Sequence, residues 1–187
     1  MGNGFGPRVG EDISKVVSAF PRVSLDTNTC IYFLQRKDPW FGPSATLFAR
    51  ARQARLALEI CSIVQMELLV RPLARGDLDE EQRVIDLTER TAGVGTTLMD
   101  RDVIFAAGRV RALTRLRAPD ALVVGSAAVS SSNAIVGNDK GFEILNKFAG
   151  VRLTGAGRQP MMMPRYIHLD DYIDRPRTRR RSRKTNG

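Results

Sequence analysis

The chain has 187 residues, 43% of them hydrophobic, and a formal net charge of +9. That length favours one domain with a sizeable core, and no apolar run approaches the roughly 20 residues a membrane helix needs. The start, with Gly2, Gly4, Gly6 and Pro7, lacks the apolar core of a secretory signal, so the expected location is the cytoplasm.

The charge is concentrated at one end. Arg175, Arg177, Arg179, Arg180, Arg181, Arg183 and Lys184 are basic, and residues 175–187 hold no acid. Without those seven the balance falls to +2. The expected organisation is an arm over residues 1–20, a folded domain over 21–174 and a basic, disordered tail over 175–187. Such a tail can hold phosphate backbones electrostatically or simply solubilise the chain.

In chain order, a short helical turn is expected near residues 13–20, then a buried strand over 23–25 ending at Asp26. A helix follows over 29–35, stopped near Asp38-Pro39. Ser44 is a candidate cap for a second helix reaching residue 55. A strand over 56–61 leads to Ser62, the expected cap of a helix over 63–73. Asp79 heads the next helix, ending near Ala92-Gly93. A third strand spans 96–99, and Asp100 caps a helix to residue 116. Pro119 suits the first turn of a helix over 120–130. A fourth strand at 134–137, a short helix at 141–148 and a fifth strand at 151–153 complete the pattern.

Strands separated by helices predict an α/β fold: a central parallel sheet of about five strands with helices on both faces. In such sheets ligands gather beyond the carboxyl ends of the strands. Four acids stand beside apolar runs that reach that rim: Asp26, Glu67, Asp120 and Asp139. A buried carboxylate is costly unless its charge is compensated. Four that converge repel one another and call for a divalent cation between them. Magnesium or manganese, which prefer oxygen ligands, fits that set, and such ions can orient a phosphodiester and activate water.

Other residues read as structural. Cys30 and Cys61 sit in apolar settings without a CxxC, which predicts two buried reduced thiols. The single histidine, His168, lies in a separate C-terminal segment, which argues against a Ser-His-Asp arrangement. Asp170, Asp171 and Asp174 read as a surface face, and Met161, Met162 and Met163 as a flexible apolar patch for an oligomer or partner contact. Arg109, Arg111, Arg115 and Arg117 cluster just before Asp120 and either line an RNA path or form a solvated helix face.

The runs Leu25-Asp26-Thr27-Asn28, Ser62 to Glu67-Leu68, Pro119-Asp120-Ala121-Leu122-Val123 and Asn138-Asp139-Lys140-Gly141-Phe142 resemble the ordered signature of PIN domains. The nearest subgroup is the VapC-like toxins of bacterial toxin–antitoxin pairs, and the resemblance covers roughly residues 22–155. It implies a three-layer α/β/α PIN-like fold and a magnesium- or manganese-dependent endoribonuclease acting on RNA. It also implies a cognate antitoxin and a homodimer as partners. Asp26, Glu67, Asp120 and Asp139 match the family's acidic positions as metal ligands or water activators, and Asn28 matches a supporting polar residue. Two positions depart from the pattern: Gly137 replaces a common Thr or Ser, and Phe142 replaces a frequent second acid. Two other readings stay open. A haloacid-dehalogenase-like phosphatase also starts with a strand ending in Asp, but it wants a second Asp where Asn28 stands. A non-catalytic RNA-binding protein with the same fold would use the basic tail.

Overall fold

The computed structural model describes residues 12–153 and 161–173. The basic tail and residues 1–11 of the expected arm lie outside them. Four strands come first: β1 (Arg22–Leu25), β2 (Ala57–Cys61), β3 (Val94–Thr97) and β4 (Ala134–Gly137). A short antiparallel pair follows, β5 (Arg152–Leu153) with β6 (Met161–Met162), and then β7 (Arg165–His168). The central sheet has the order β3-β2-β1-β4-β7, with every neighbouring pair parallel.

The helices are α1 (Ile13–Val17), α2 (Thr27–Leu34), α3 (Phe41–Arg52), α4 (Ser62–Arg75), α5 (Leu78–Ile85), α6 (Arg101–Thr114) and α7 (Ala118–Val129). Right-handed crossovers put the β1–β2 and β2–β3 helices on one face of the sheet and α6 and α7 on the other. Accordingly α3, α4 and α7 all pack on β2, and α6 lies along α7. That last contact is close because Gly125 sits in it: a Cβ there would meet the backbone of Val103 and Ala107 at 2.8 and 2.7 Å. The result is an α/β/α sandwich. Among the described residues no helix is long and apolar enough to cross a membrane.

The central strands are covered on both faces. Val23, Leu25, Leu58, Ile60, Ile135 and Val136 are buried, which is why the strands read as continuous apolar runs rather than alternating ones. Ile13 and Val17 of α1 are buried too, and α1 packs on α3, so part of the expected arm joins the core. Cys30 and Cys61 are free buried thiols, as expected.

Several expectations are corrected. The fifth strand of the central sheet is β7, whereas residues 152–153 pair with β6. β7 is an edge strand whose Arg165, Tyr166, Ile167 and His168 carry no strict alternation, so periodicity missed it. His168 therefore belongs to the sheet, opposite Gly137, rather than to a separate segment. Met163 is 2% exposed and Met161 packs on the core, so the methionine run is largely interior. Asp170 accepts a hydrogen bond from Trp40 Nε1 at 2.6 Å and is not simply a surface acid. Three caps move as well. Ser44 is buried inside α3, which starts at Phe41 because Pro43 is tolerated in a first turn. Cys61, not Ser62, precedes α4, and Asp77, not Asp79, caps α5 by accepting from Glu80 N at 2.9 Å.

Candidate active site

The strand order reverses between β1 and β4: the chain leaves β1 toward β2 on one side, while β4 and β7 lie on the other. Connections diverge to opposite faces there and leave a crevice beyond the carboxyl ends of the strands. Asp26 directly follows β1, and Asn138 and Asp139 directly follow β4. Glu67 comes from the second turn of α4 and Asp120 from the first turn of α7. All four acids line one cleft of about 240 Å³, together with Thr27, Asn28, Arg117, Val123 and Phe142. The convergence expected from the sequence is thus present.

Asp26 is the deepest of the four, 6% exposed. It caps α2, accepting from Asn28 N at 2.7 Å through Oδ1, and its Oδ2 accepts from Asn138 N at 3.3 Å. Burial pushes its pKa from 3.8 up to about 6. The two backbone N–H groups oppose that rise, and the charges of Asp139 and Glu67 add to it. Glu67 is exposed and accepts a hydrogen bond from the Thr27 hydroxyl.

Asp120 receives Arg117 Nε at 3.0 Å, and Arg117 Nη2 lies 4.0 Å from Asp139 Oδ2. Asp139 Oδ1 accepts from Gly141 N at 2.7 Å, which starts the 3₁₀ turn at Lys140–Lys147. Of the four clustered arginines only Arg117 lines the cleft; Arg109 sits within α6, and Arg115 ends it in a left-handed conformation.

Two tyrosines hold the loop after β4. Asn138 Nδ2 donates to the Tyr32 hydroxyl at 3.0 Å, and Asp139 N donates to the Tyr166 hydroxyl at 2.9 Å. Tyr166 comes from β7, one strand away from Asp139's own. Burial, then the charge of Asp26, pushes its phenol above the usual value. Phe142 is 4% exposed and packs against the Tyr166 ring at 5.5 Å between centroids. The residue that stands in place of a second acid is therefore an apolar support. Tyr166→Phe keeps the ring but leaves the Asp139 N–H without its acceptor. We expect it to lower stability in urea denaturation by about 1–3 kcal/mol.

Sequence reasoning missed Thr27, Tyr32 and Tyr166. Thr27 was visible as the neighbour of Asp26. The tyrosines carry no local signal, since both act through residues more than 25 positions away.

A divalent cation fits this cleft by donor chemistry and by charge. Four carboxylates supply hard oxygen donors, and the charges of Asp139 and Glu67 both bear on the buried Asp26. Among the described residues no three His, Cys, Asp or Glu side chains stand as a ready-made cage. Glu67 is turned to Thr27 and Asp120 to Arg117. Magnesium does not require a full cage, because it keeps several waters and takes only one or two carboxylates.

A parallel α/β/α sandwich with a carboxylate-lined crevice at its switch point defines the class of protein. The PIN domain family model matches residues 23–147, and the chain belongs to that family. Its fold is also similar to solved structures. One is VapBC2 from Rickettsia felis bound to a DNA fragment from their promoter, at 19% identity and TM-score 0.50, covering 65% of this chain and 90% of that one. Another is VapBC-1 from nontypeable Haemophilus influenzae, at 14% identity and TM-score 0.52, covering 80% of this chain and 98% of that one. No curated protein matches the chain.

Proposed function

We propose that the protein is a metal-dependent endoribonuclease that cleaves RNA phosphodiesters at this cleft, the toxin of a toxin–antitoxin pair. The observation that carries the reading is the meeting of four carboxylates from four separate elements, with Glu67, Asp120 and Asp139 lining the same cleft as the buried Asp26. Membership of the PIN family supports nuclease chemistry, and the likeness in fold to VapBC structures supports a cognate antitoxin as partner. A homodimer and a cytoplasmic location belong to the same proposal.

In this reading Asp26, Glu67, Asp120 and Asp139 are the carboxylates that would hold magnesium or manganese. When bound, the ion supplies an activated water and neutralises charge on the phosphate. The chain's own residues do the positioning. The Asn28 and Asn138 N–H groups aim the Asp26 carboxylate into the cleft, Thr27 orients Glu67, and the Asp139 N–H bond to Tyr166 sets the height of the β4 loop. Val123 and Phe142 give one apolar wall.

The test is incubation of the purified protein, free of any antitoxin, with a structured RNA mixture. Cleavage is expected with manganese or magnesium and is expected to stop when EDTA removes the ion. Cleavage that continues in EDTA would overturn the metal reading. A well-folded protein that binds RNA but never cuts it would favour a binding role, lost on removal of residues 175–187.

A further inference from the structure

Arg117 stands where the cleft's chemistry needs a cation. Its Nε lies 3.0 Å from Asp120 Oδ2 and its Nη2 lies 4.0 Å from Asp139 Oδ2, so one guanidinium faces two acids brought from different elements. Asp120 belongs to the first turn of α7 and Asp139 to the loop after β4. The backbone that carries Arg117 is well held. Leu116 is 8% exposed, Arg115 turns the chain in a left-handed conformation, and the Arg117 carbonyl accepts from Ala121 N at 2.9 Å as α7 begins. The side chain is the opposite, 79% exposed.

A guanidinium keeps its charge at any ordinary pH, and its fork can serve two carboxylates at once. An exposed ion pair of this kind is weak and easily broken. A divalent cation would draw on the same two carboxylates and would repel the guanidinium. The two cations therefore compete for them.

We propose that Arg117 is the resident counter-cation of the cleft. It neutralises Asp120 and Asp139 while no divalent ion is bound, and it gives them up when one binds, so it sets the affinity for the ion. This rests on the reading of the cleft as a metal site. Arg117 is here a positioning residue, acting through the two acids.

The test is direct titration of the full chain with manganese, without RNA, following free manganese by its electron paramagnetic resonance signal. Arg117→Gln is compared with wild type and with Lys140→Gln, which removes the same charge beside Asp139 in sequence. Arg117→Gln is expected to tighten manganese binding roughly two- to fivefold, with a clearly smaller effect from Lys140→Gln. In wild type, the Arg117 Nε–H resonance is also expected to shift as magnesium is added. Unchanged or weaker binding in Arg117→Gln overturns the proposal while leaving the metal site intact. Equal tightening in both variants assigns the effect to net charge and also overturns it. Absence of manganese binding in all three proteins overturns the metal reading itself, and this inference with it.

Discussion

Asp26→Asn is expected to act in opposite directions on activity and stability. Removing the most buried carboxylate should lower RNA cleavage by at least about 100-fold, since even residues that only support metal ligands cost 10- to 100-fold. The folded protein should nonetheless become more stable at neutral pH. With its pKa raised from 3.8 to about 6, ionised Asp26 costs the fold on the order of 3 kcal/mol. An asparagine carries no such charge. It keeps an oxygen for the Asn28 N–H but turns an amide toward the Asn138 N–H, which offsets part of the gain, leaving about 1–2 kcal/mol.

The same shift gives a pH signature. Between about pH 4 and pH 6 the folded protein holds a proton on Asp26 that the unfolded chain has lost. Stability from this group is therefore greatest at the acidic end and falls as pH rises through that window. Urea denaturation of the metal-free protein at several pH values should show this fall in wild type and not in Asp26→Asn. An equal slope in both would mean that Asp26 is not the buried titrating group.

Gly137→Thr is expected to damage the protein, although it restores the residue type that the family resemblance implies. A Cβ at position 137 would stand 2.4 Å from Asp26 Oδ2, 2.9 Å from its Cβ and 3.0 Å from its Cγ. The carboxylate cannot move aside freely, because it caps α2 and accepts from Asn138. Either Asp26 shifts and loses a partner, or β4 moves away from β1. Overpacking of this kind costs about 1–3 kcal/mol. The displaced carboxylate should also reduce cleavage by roughly 10- to 100-fold. Gly137→Ala isolates the Cβ and should give most of both effects. Wild-type stability and cleavage in Gly137→Ala would show that the cleft relaxes without cost.

Gly137 and Phe142 thus change meaning once the fold is seen. As sequence they are departures from a pattern. In the fold, Gly137 makes room for Asp26 against β4, and Phe142 supports the tyrosine beneath Asp139.

What the sequence determined by itself was most of the order of strands and helices, which is written in short-range terms. The buried strands announced themselves as apolar runs, because a parallel sheet covered on both faces has no wet side to alternate with. Two helices announced their starts through Asp100 and Pro119, which act on the backbone within three residues. The four acids were legible because each follows or enters such an element, and their order matched a known signature. Tertiary structure alone decided which strand completes the sheet, and that Tyr32 and Tyr166 clamp the β4 loop. It alone decided that Arg117, out of four clustered arginines, reaches the acids. Those outcomes depend on pairings between residues far apart in the chain, where no local period or cap records the partner.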